Sequence, residues 1–276
     1  MISEKNSKAL LCNHTDVIIN IMLIESINFS LLFFAFCAGL VDATVGGGGL
    51  ILVPALLYTY PNSNIASIFG TNKVVALASA SSSAFGFIRR VDLPWRLILP
   101  TMLSAFLFAY LGAISVSIIP KTLMQYAVFI LLIGMAIYTF IKKELGQVHQ
   151  QVPIGNKQVL LGIFFGALIG FYDGIFGPGS GSFFLFLFIK VFCFDFIHAV
   201  ASAKLLNIAT FIAALIFFIP EGHVIWSASF YMILSAMLGA FVGTQLAFKY
   251  GSAFIRFFFL LLLLFLIGRM GYQLFF

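Results

Sequence analysis

Eight long apolar blocks dominate the sequence and restrict the folds that it can adopt. They run about 28–60, 66–88, 97–118, 122–141, 158–189, 196–219, 225–248 and 254–275. Hydrophobic residues make up 62% of the 276 residues and charged residues only 9%, which is too little polar surface for a soluble domain. Most blocks have the length of one bilayer span, and none shows the short alternating runs of a transmembrane barrel. The sequence therefore predicts an all-α polytopic membrane protein.

Glycine clusters interrupt two of these blocks. The first and fifth blocks are near thirty residues long, and each contains a cluster, at 46–49 and at 177–181. Glycine and proline interrupt helices, because glycine is conformationally free and proline lacks an N–H donor. Each block is therefore predicted to form two half-helices joined by an unwound elbow.

The two halves of the chain repeat one another. An offset of 131, without gaps, relates several residue pairs: Gly39 and Gly170, Asp42 and Asp173, Gly46 and Gly177, Gly48 and Gly179, Lys73 and Lys204, Ser104 and Ser235, and Gly112 and Gly243. Internal duplication explains this pattern. We divide the chain into an N-terminal segment (1–27), a first transmembrane repeat (28–141), a cytoplasmic linker (142–157) and a second transmembrane repeat (158–276).

The loop charges do not distinguish parallel from inverted repeats. Nine loop Lys and Arg residues fall on the cytoplasmic side and four on the other, whether the glycine-broken blocks cross the bilayer or turn back within it. We expect inverted repeats, because paired broken helices are typical of that arrangement.

The elbows are candidate parts of a binding site. A break at membrane depth leaves backbone N–H groups free, and the half-helix that follows presents the positive end of its dipole to an anion. The candidate elbow residues are Gly46, Gly47, Gly48, Gly49, Gly177, Gly179 and Ser180. The alternative is that such glycines only allow close helix packing, and we assign the stripe Gly162, Gly166, Gly170 and Gly174 to packing.

Two lysines inside apolar blocks are candidate charge partners for an anion. Lys73 and Lys204 occupy matched positions, and a cation there is costly unless it is paired or hydrated. Snorkelling of each lysine to the nearer interface is the alternative. Asn72 and Asn207 are candidate uncharged ligands, with interhelical hydrogen bonding as their alternative role. Asp42 and Asp173 are candidates for neutralising the lysines, for carrying protons or for capping the broken helices.

These motifs together resemble the TauE/SafE family, and the similarity runs from about residue 28 to the C-terminus. They are Gly39-x-x-Asp42 with Gly46 to Gly49 and Pro54, Gly70-Thr71-Asn72-Lys73, Phe87-Ile88-Arg89-Arg90, Gly170-Phe171-Tyr172-Asp173-Gly174, Phe176-Gly177-Pro178-Gly179 and Ala203-Lys204-Leu205-Leu206-Asn207. The resemblance implies a multi-pass bacterial inner-membrane permease for sulfite, sulfoacetate and related anions. Ser180 stands where the first elbow has Gly49, so the two half-sites differ at this position.

The sequence favours transport over other functions. Pro178 occupies a position that a Gly-x-Ser-Gly serine protease motif would need, and neither a metal-binding His pair nor a Cys-x-x-Cys motif is present, so we expect no enzyme, metal or cofactor. Lys and Arg lie mainly between helices, so no nucleic acid partner is expected. We predict an inner-membrane permease that moves a small anion by alternating access, in contact with the lipid bilayer and with homo-oligomers left open. The alternative is a transporter or channel for a cation or a neutral solute that uses Asp42 and Asp173.

Overall fold

The described residues form α-helices and contain no β-strand. The computed structural model describes residues 29–44, 46–116, 119–141, 154–250, 260–261, 264–268 and 271–272. The helices are α1 (Phe29–Thr44), α2 (Gly48–Thr59), α3 (Ile65–Ile88), α4 (Trp95–Ser115), α5 (Lys121–Ile141), α6 (Asn156–Ile175), α7 (Ser180–Phe186, continued by a π-helical turn Leu187–Val191), α8 (Phe196–Phe218) and α9 (Trp226–Tyr250). The predicted segment 1–27 and most of the linker 142–157 lie outside these residues, so the predicted boundaries stay predictions.

Four of these helices are long and apolar enough to cross a membrane, by length and composition. They are Trp95–Ser115, Asn156–Ile175, Phe196–Phe218 and Trp226–Lys249. Helices α1, α2 and α7 are apolar but shorter, which suits half-helices. The all-helical fold is thus confirmed, whereas the count of eight blocks and the inversion of the repeats stay predictions.

Both glycine clusters interrupt helices, as the sequence predicts. Helix α1 ends at Thr44 and α2 begins at Gly48, and Gly46 between them has φ +74°. Helix α6 ends at Ile175 and α7 begins at Ser180, with φ values of +82° at Gly177 and +83° at Gly179. Glycine is the residue that adopts such angles without a steric cost. The glycines therefore determine where each helix stops.

At the second elbow the chain turns back on itself. The Tyr172 hydroxyl on α6 donates a 2.7 Å hydrogen bond to the Pro178 carbonyl, and its ring centroid lies 5.2 Å from that of Phe183 on α7. The start of α2 likewise packs on α1, because a Cβ at Gly48 would lie 2.8 Å from the Ala38 carbonyl oxygen. Each elbow thus joins two helices that lie against each other. Helix α6, with 20 residues, is longer than the half-helix that the sequence predicts before the second elbow.

Helices α3 and α8 begin at capping residues that occupy matched positions in the two halves. The Asn64 side chain accepts a hydrogen bond from the Ala66 N–H at the start of α3. The Asp195 carboxylate accepts one from the His198 N–H, 3.0 Å away, at the start of α8. Both residues satisfy backbone donors that a helix N-terminus leaves free. Asn64 and Asp195 are 131 residues apart, so α3 and α8 begin at equivalent capping positions of the two halves.

Glycines on α6 allow this helix to pack closely against α4. A Cβ at Gly166 would lie 2.7 Å from the Thr101 carbonyl oxygen, and one at Gly174 would lie 2.8 Å from the Ala113 nitrogen. Because the contacts advance in the same direction along both helices, α6 runs parallel to α4. The packing role that the sequence predicts for this stripe is confirmed.

Two further helix pairs, α1 with α9 and α3 with α9, also run parallel. Gly239 and Gly243 of α9 approach the Phe36 and Leu40 carbonyls of α1, so these two helices run in the same direction. Helix α3 packs on α9 and on the turn before it. Gly70 near the start of α3 meets the His223 carbonyl just before α9, and Gly86 near its end meets Thr244 of α9. Helices α1, α3 and α9 therefore share one direction.

Side-chain hydrogen bonds between the halves repeat with the offset of the sequence. The Ser104 hydroxyl donates to the Ile163 carbonyl, and the Ser235 hydroxyl donates to the Leu32 carbonyl, each at 2.7 Å. Adding 131 to Ser104 gives Ser235, and subtracting 131 from Ile163 gives Leu32. Equivalent residues of the two halves thus make equivalent contacts across the molecule.

Candidate functional site

Lys73 forms a buried ion pair with an aspartate of the other half. It lies on α3, and its Nζ donates to the Asp173 carboxylate at 2.6 Å and to the Asp173 backbone carbonyl at 2.7 Å. The side chains are 1% and 0% exposed. A Cβ at Gly177 would lie 3.1 Å from this Nζ, so the ammonium group sits against the second elbow. Lys73 therefore points into the protein and does not snorkel.

Lys204 makes the equivalent pair in the opposite direction. It lies on α8, and its Nζ donates to the Asp42 carboxylate at 2.7 Å and to the Asp42 backbone carbonyl. The side chains are 2% and 7% exposed. Asp42 is beside the first elbow, because a Cβ at Gly48 would lie 2.8 Å from the Asp42 Cβ. Both lysines thus reach an elbow of the other half.

The two pairs balance the charge of the site. Two ammonium groups and two carboxylates are buried together, and each ammonium also binds a carbonyl near the C-terminal, negative end of α1 or α6. Removing one partner of a buried pair leaves an uncompensated charge, which costs about 3–5 kcal/mol. Each aspartate is therefore paired with a lysine in this conformation, and the functional role of the two pairs stays a prediction.

The two elbows lie directly against each other. A Cβ at Gly46 would lie 2.7 Å from the Gly181 Cα, and one at Gly49 would lie 3.1 Å from the Pro178 Cα. Gly47, Gly48, Gly177 and Gly179 are buried, as is Ser180, the first residue of α7. The predicted elbow residues are thus brought together at one contact between the halves.

Two buried asparagines adjoin this elbow contact with polar atoms that lack partners. Asn72 Nδ2 would lie 3.4 Å from a Cβ at Gly49, and Asn207 Nδ2 would lie 2.7 Å from one at Gly181. Within the described part of the chain, Asn72 Oδ1 and both polar atoms of the Asn207 amide have no hydrogen-bond partner. Burying such groups unsatisfied is costly, so these atoms are available to a polar ligand.

The site also includes Ser79 and Phe211, which are not among the residues predicted from the sequence. The Ser79 hydroxyl donates to the Asp42 carboxylate at 3.3 Å, and the Lys73 Nζ lies 4.7 Å from the centroid of the Phe211 ring. The offset of 131 pairs Ser79 with Thr210, a second hydroxyl inside an apolar block, and this signal could have identified Ser79. Phe211 has no such signal, because it is one of 35 phenylalanines.

Fold and site together define a helical membrane protein with a charge-balanced interior between two broken helices. The family described as "Sulfite exporter TauE/SafE" matches residues 31–270. The chain belongs to the TauE/SafE family of membrane transporters.

Relatives in bacteria carry names that describe only membrane transport. The chain is 35% identical over 241 residues to "Probable membrane transporter protein ORF9" of Sinorhizobium sp, covering 84% of this chain and 89% of the relative. It is 33% identical over 226 residues to "Probable membrane transporter protein YfcA" of Escherichia coli K12, covering 82% of each. "Probable membrane transporter protein YunE" of Bacillus subtilis is 23% identical over 246 residues, covering 78% of this chain and 87% of the relative. No solved structure matches the chain significantly.

Proposed function

We propose that this protein is an inner-membrane, multi-pass permease that moves a small anion by alternating access, with a sulfur oxyanion or an organosulfonate such as sulfite or sulfoacetate as its cargo. The observation that carries this proposal is the pair of crossed lysine–aspartate contacts at the meeting point of the elbows. Membership in the TauE/SafE family and the names of the relatives support transport over catalysis.

The chemistry of the site favours an anion. An oxyanion offers the same kind of acceptor oxygen that an aspartate now offers to each lysine. It would also accept a hydrogen bond from the Asn207 amide nitrogen, which has no partner among the described residues. Each aspartate is paired with a lysine in this conformation, so a cation would have to compete with that lysine for the carboxylate.

Inverted repeats would supply the two alternating states. Helices α1 and α3 both run parallel to α9, so α2, which connects α1 to α3, must return toward the side from which α1 starts. Helix α8 joins α9 by a short turn and therefore runs opposite to α9 and to α3, its counterpart in the first half. We infer that each half crosses the membrane three times in opposite orientations. Rocking such repeats around a central site is the usual basis of alternating access.

The decisive experiment replaces one charged pair by a neutral one. In the double variant Lys73→Gln/Asp173→Asn, both charges are removed together, so no uncompensated charge remains. We expect sulfite and sulfoacetate flux from proteoliposomes to be abolished, because the anion loses its cation. Lys190→Gln, which changes an exposed lysine away from both pairs, is the control and should retain flux. Full flux in a folded Lys73→Gln/Asp173→Asn protein would reject this site.

The cation alternative predicts a different electrical response. Anion and cation movement respond in opposite directions to an imposed membrane potential. Measuring flux at inside-positive and inside-negative potentials therefore distinguishes the two cargoes. Flux of a cation that depends on Asp42 and Asp173 but not on either lysine would replace the anion proposal with the alternative.

A further inference from the structure

We infer that the two lysine–aspartate pairs have different roles: the Lys73–Asp173 pair opens to exchange its carboxylate for the anion, while the Lys204–Asp42 pair stays closed and holds the halves together. The anion in this inference rests on the proposed function. The difference between the pairs rests on contacts that break the repeat symmetry, and these contacts are independent of the cargo.

The first difference is in how the carboxylates are held. Asp42 Oδ2 accepts hydrogen bonds from both Lys204 and Ser79. Asp173 Oδ1 accepts from Lys73, whereas the fully buried Asp173 Oδ2 has no partner in the described part of the chain. Thr210 is the counterpart of Ser79, but its hydroxyl donates to the Asn207 carbonyl at 3.0 Å. The Asp173 carboxylate is therefore held by fewer bonds than that of Asp42.

The second difference is in how the lysines are held. Lys73 Nζ lies 4.7 Å from the Phe211 ring centroid, and a ring face attracts a cation without competing for an anion. The position equivalent to Phe211 in the first half is Ala80, which has no ring to offer Lys204. Lys73 thus keeps a favourable contact when Asp173 leaves, while Lys204 depends on Asp42.

The surroundings of Lys73 also provide for an incoming oxyanion. Asn207 precedes Phe211 by four residues and therefore lies on the same face of α8 as the ring that contacts Lys73. Its amide nitrogen is an unpartnered, buried donor next to the second elbow. An oxyanion that replaces Asp173 on Lys73 would gain this donor, so the exchange satisfies a polar group that is now unsatisfied.

The first test compares Asp173→Asn with Asp42→Asn by thermal unfolding in detergent, without added anion. Asp42→Asn leaves Lys204 without a counter-ion, and we expect its Tm to fall by roughly 10 °C. Asp173→Asn should lower Tm by less than half as much, because Phe211 still contacts Lys73. Adding Phe211→Leu to Asp173→Asn should remove this protection. Equal losses in the two single variants, or a larger loss in Asp173→Asn, would overturn the inference.

The second test uses substitutions that leave every charge in place. Ser79→Ala should lower Tm by a measurable amount, because it removes a donor to the Asp42 carboxylate. Thr210→Val is its matched control and should change Tm less, because the Thr210 hydroxyl binds a backbone carbonyl instead of a carboxylate. A larger loss of Tm in Thr210→Val than in Ser79→Ala would also overturn the inference.

Sulfite binding separates this inference from the proposed function. Calorimetric titration with sulfite should show Asp173→Asn binding at least as tightly as the unmodified protein, because the competing carboxylate charge is gone. Binding that is weakened about tenfold or more by Asp173→Asn but not by Asp42→Asn would overturn the inference. The predicted stability order without sulfite or sulfoacetate binding to the unmodified protein would support unequal pairs and contradict the proposed cargo.

Discussion

At the scale of the residue, the small side chains of α1 and α6 matter because they leave room for another backbone. Gly39 and Gly170 face the Ala236 and Ala105 carbonyls, and any side chain there would overlap main-chain atoms of a neighbouring helix. Without a hydrophobic driving force in lipid, close packing and interhelical hydrogen bonds hold helices together. These positions therefore stabilise the contact between the halves.

Gly170→Ala should destabilise the protein although alanine favours helices. The added Cβ would lie 2.7 Å from the Ala105 Cα, and overpacking of this kind costs about 1–3 kcal/mol. The control is Gly134→Ala on α5, where nothing lies within 4 Å of the added Cβ. We expect thermal unfolding to show a Tm lowered by roughly 5 °C for Gly170→Ala and an unchanged or higher Tm for Gly134→Ala. Equal Tm values would show that this contact does not stabilise the fold.

At the scale of the element, each elbow divides one apolar block into two helices that lie against each other. The break frees backbone groups in the protein interior, which is tolerated because the other elbow and the lysines cover them. The elbows therefore depend on each other, since Gly46 of one packs on Gly181 of the other. A change in one elbow reaches the other through direct contact.

Gly46→Ala should lower the stability of the protein by more than the backbone angle of Gly46 alone explains. Gly222 has a similar φ of +72° but nothing within 4 Å, so Gly222→Ala measures the conformational cost, about 1–2 kcal/mol. Gly46→Ala adds a clash with the Gly181 backbone. We expect a Tm loss for Gly46→Ala at least twice that of Gly222→Ala, together with loss of anion flux. Similar losses in the two variants would argue that the elbows do not need this close contact.

At the scale of the whole molecule, the repeat relates contacts as well as residues. Packing contacts, helix caps, serine hydrogen bonds and ion pairs all recur with the offset of 131. Every one of these pairs except the caps joins one half to the other. The two halves therefore interlock along their length instead of forming separate units.

Cysteine labelling in cells tests the proposed inverted arrangement. In a background with Cys12→Ser and Cys37→Ser, native Cys193 and an introduced Glu221→Cys lie in the turns that follow α7 and α8. Inversion predicts that Cys193 reacts from the cytoplasm and the cysteine at position 221 from outside, whereas parallel repeats predict the reverse. Asp92→Cys should react from the cytoplasm in both arrangements and serves as the control. Outside labelling of Cys193 would contradict inverted repeats.

The sequence predicts most of the parts of the site but not how they connect. The glycine clusters identify both elbows, and the shared offset identifies Lys73, Lys204, Asp42 and Asp173, because ionisable residues in apolar blocks are rare. Each aspartate precedes the lysine of its own half by 31 residues, and nothing in that spacing shows that the ion pairs form between the halves. Phe211 could not be found either, since contacts with one phenylalanine among many depend on tertiary packing.

The crossed ion pairs also bear on how such a molecule arises. A single half carrying the same residues would have a buried lysine without a counter-ion and a buried aspartate without a cation, and a second copy would satisfy both at once. The pairing therefore has the form of the contacts that two identical subunits would make, as internal duplication of one half predicts. Two copies within one chain are free to differ, and the Ser79 hydroxyl on one side and the Phe211 ring on the other are such differences at this site.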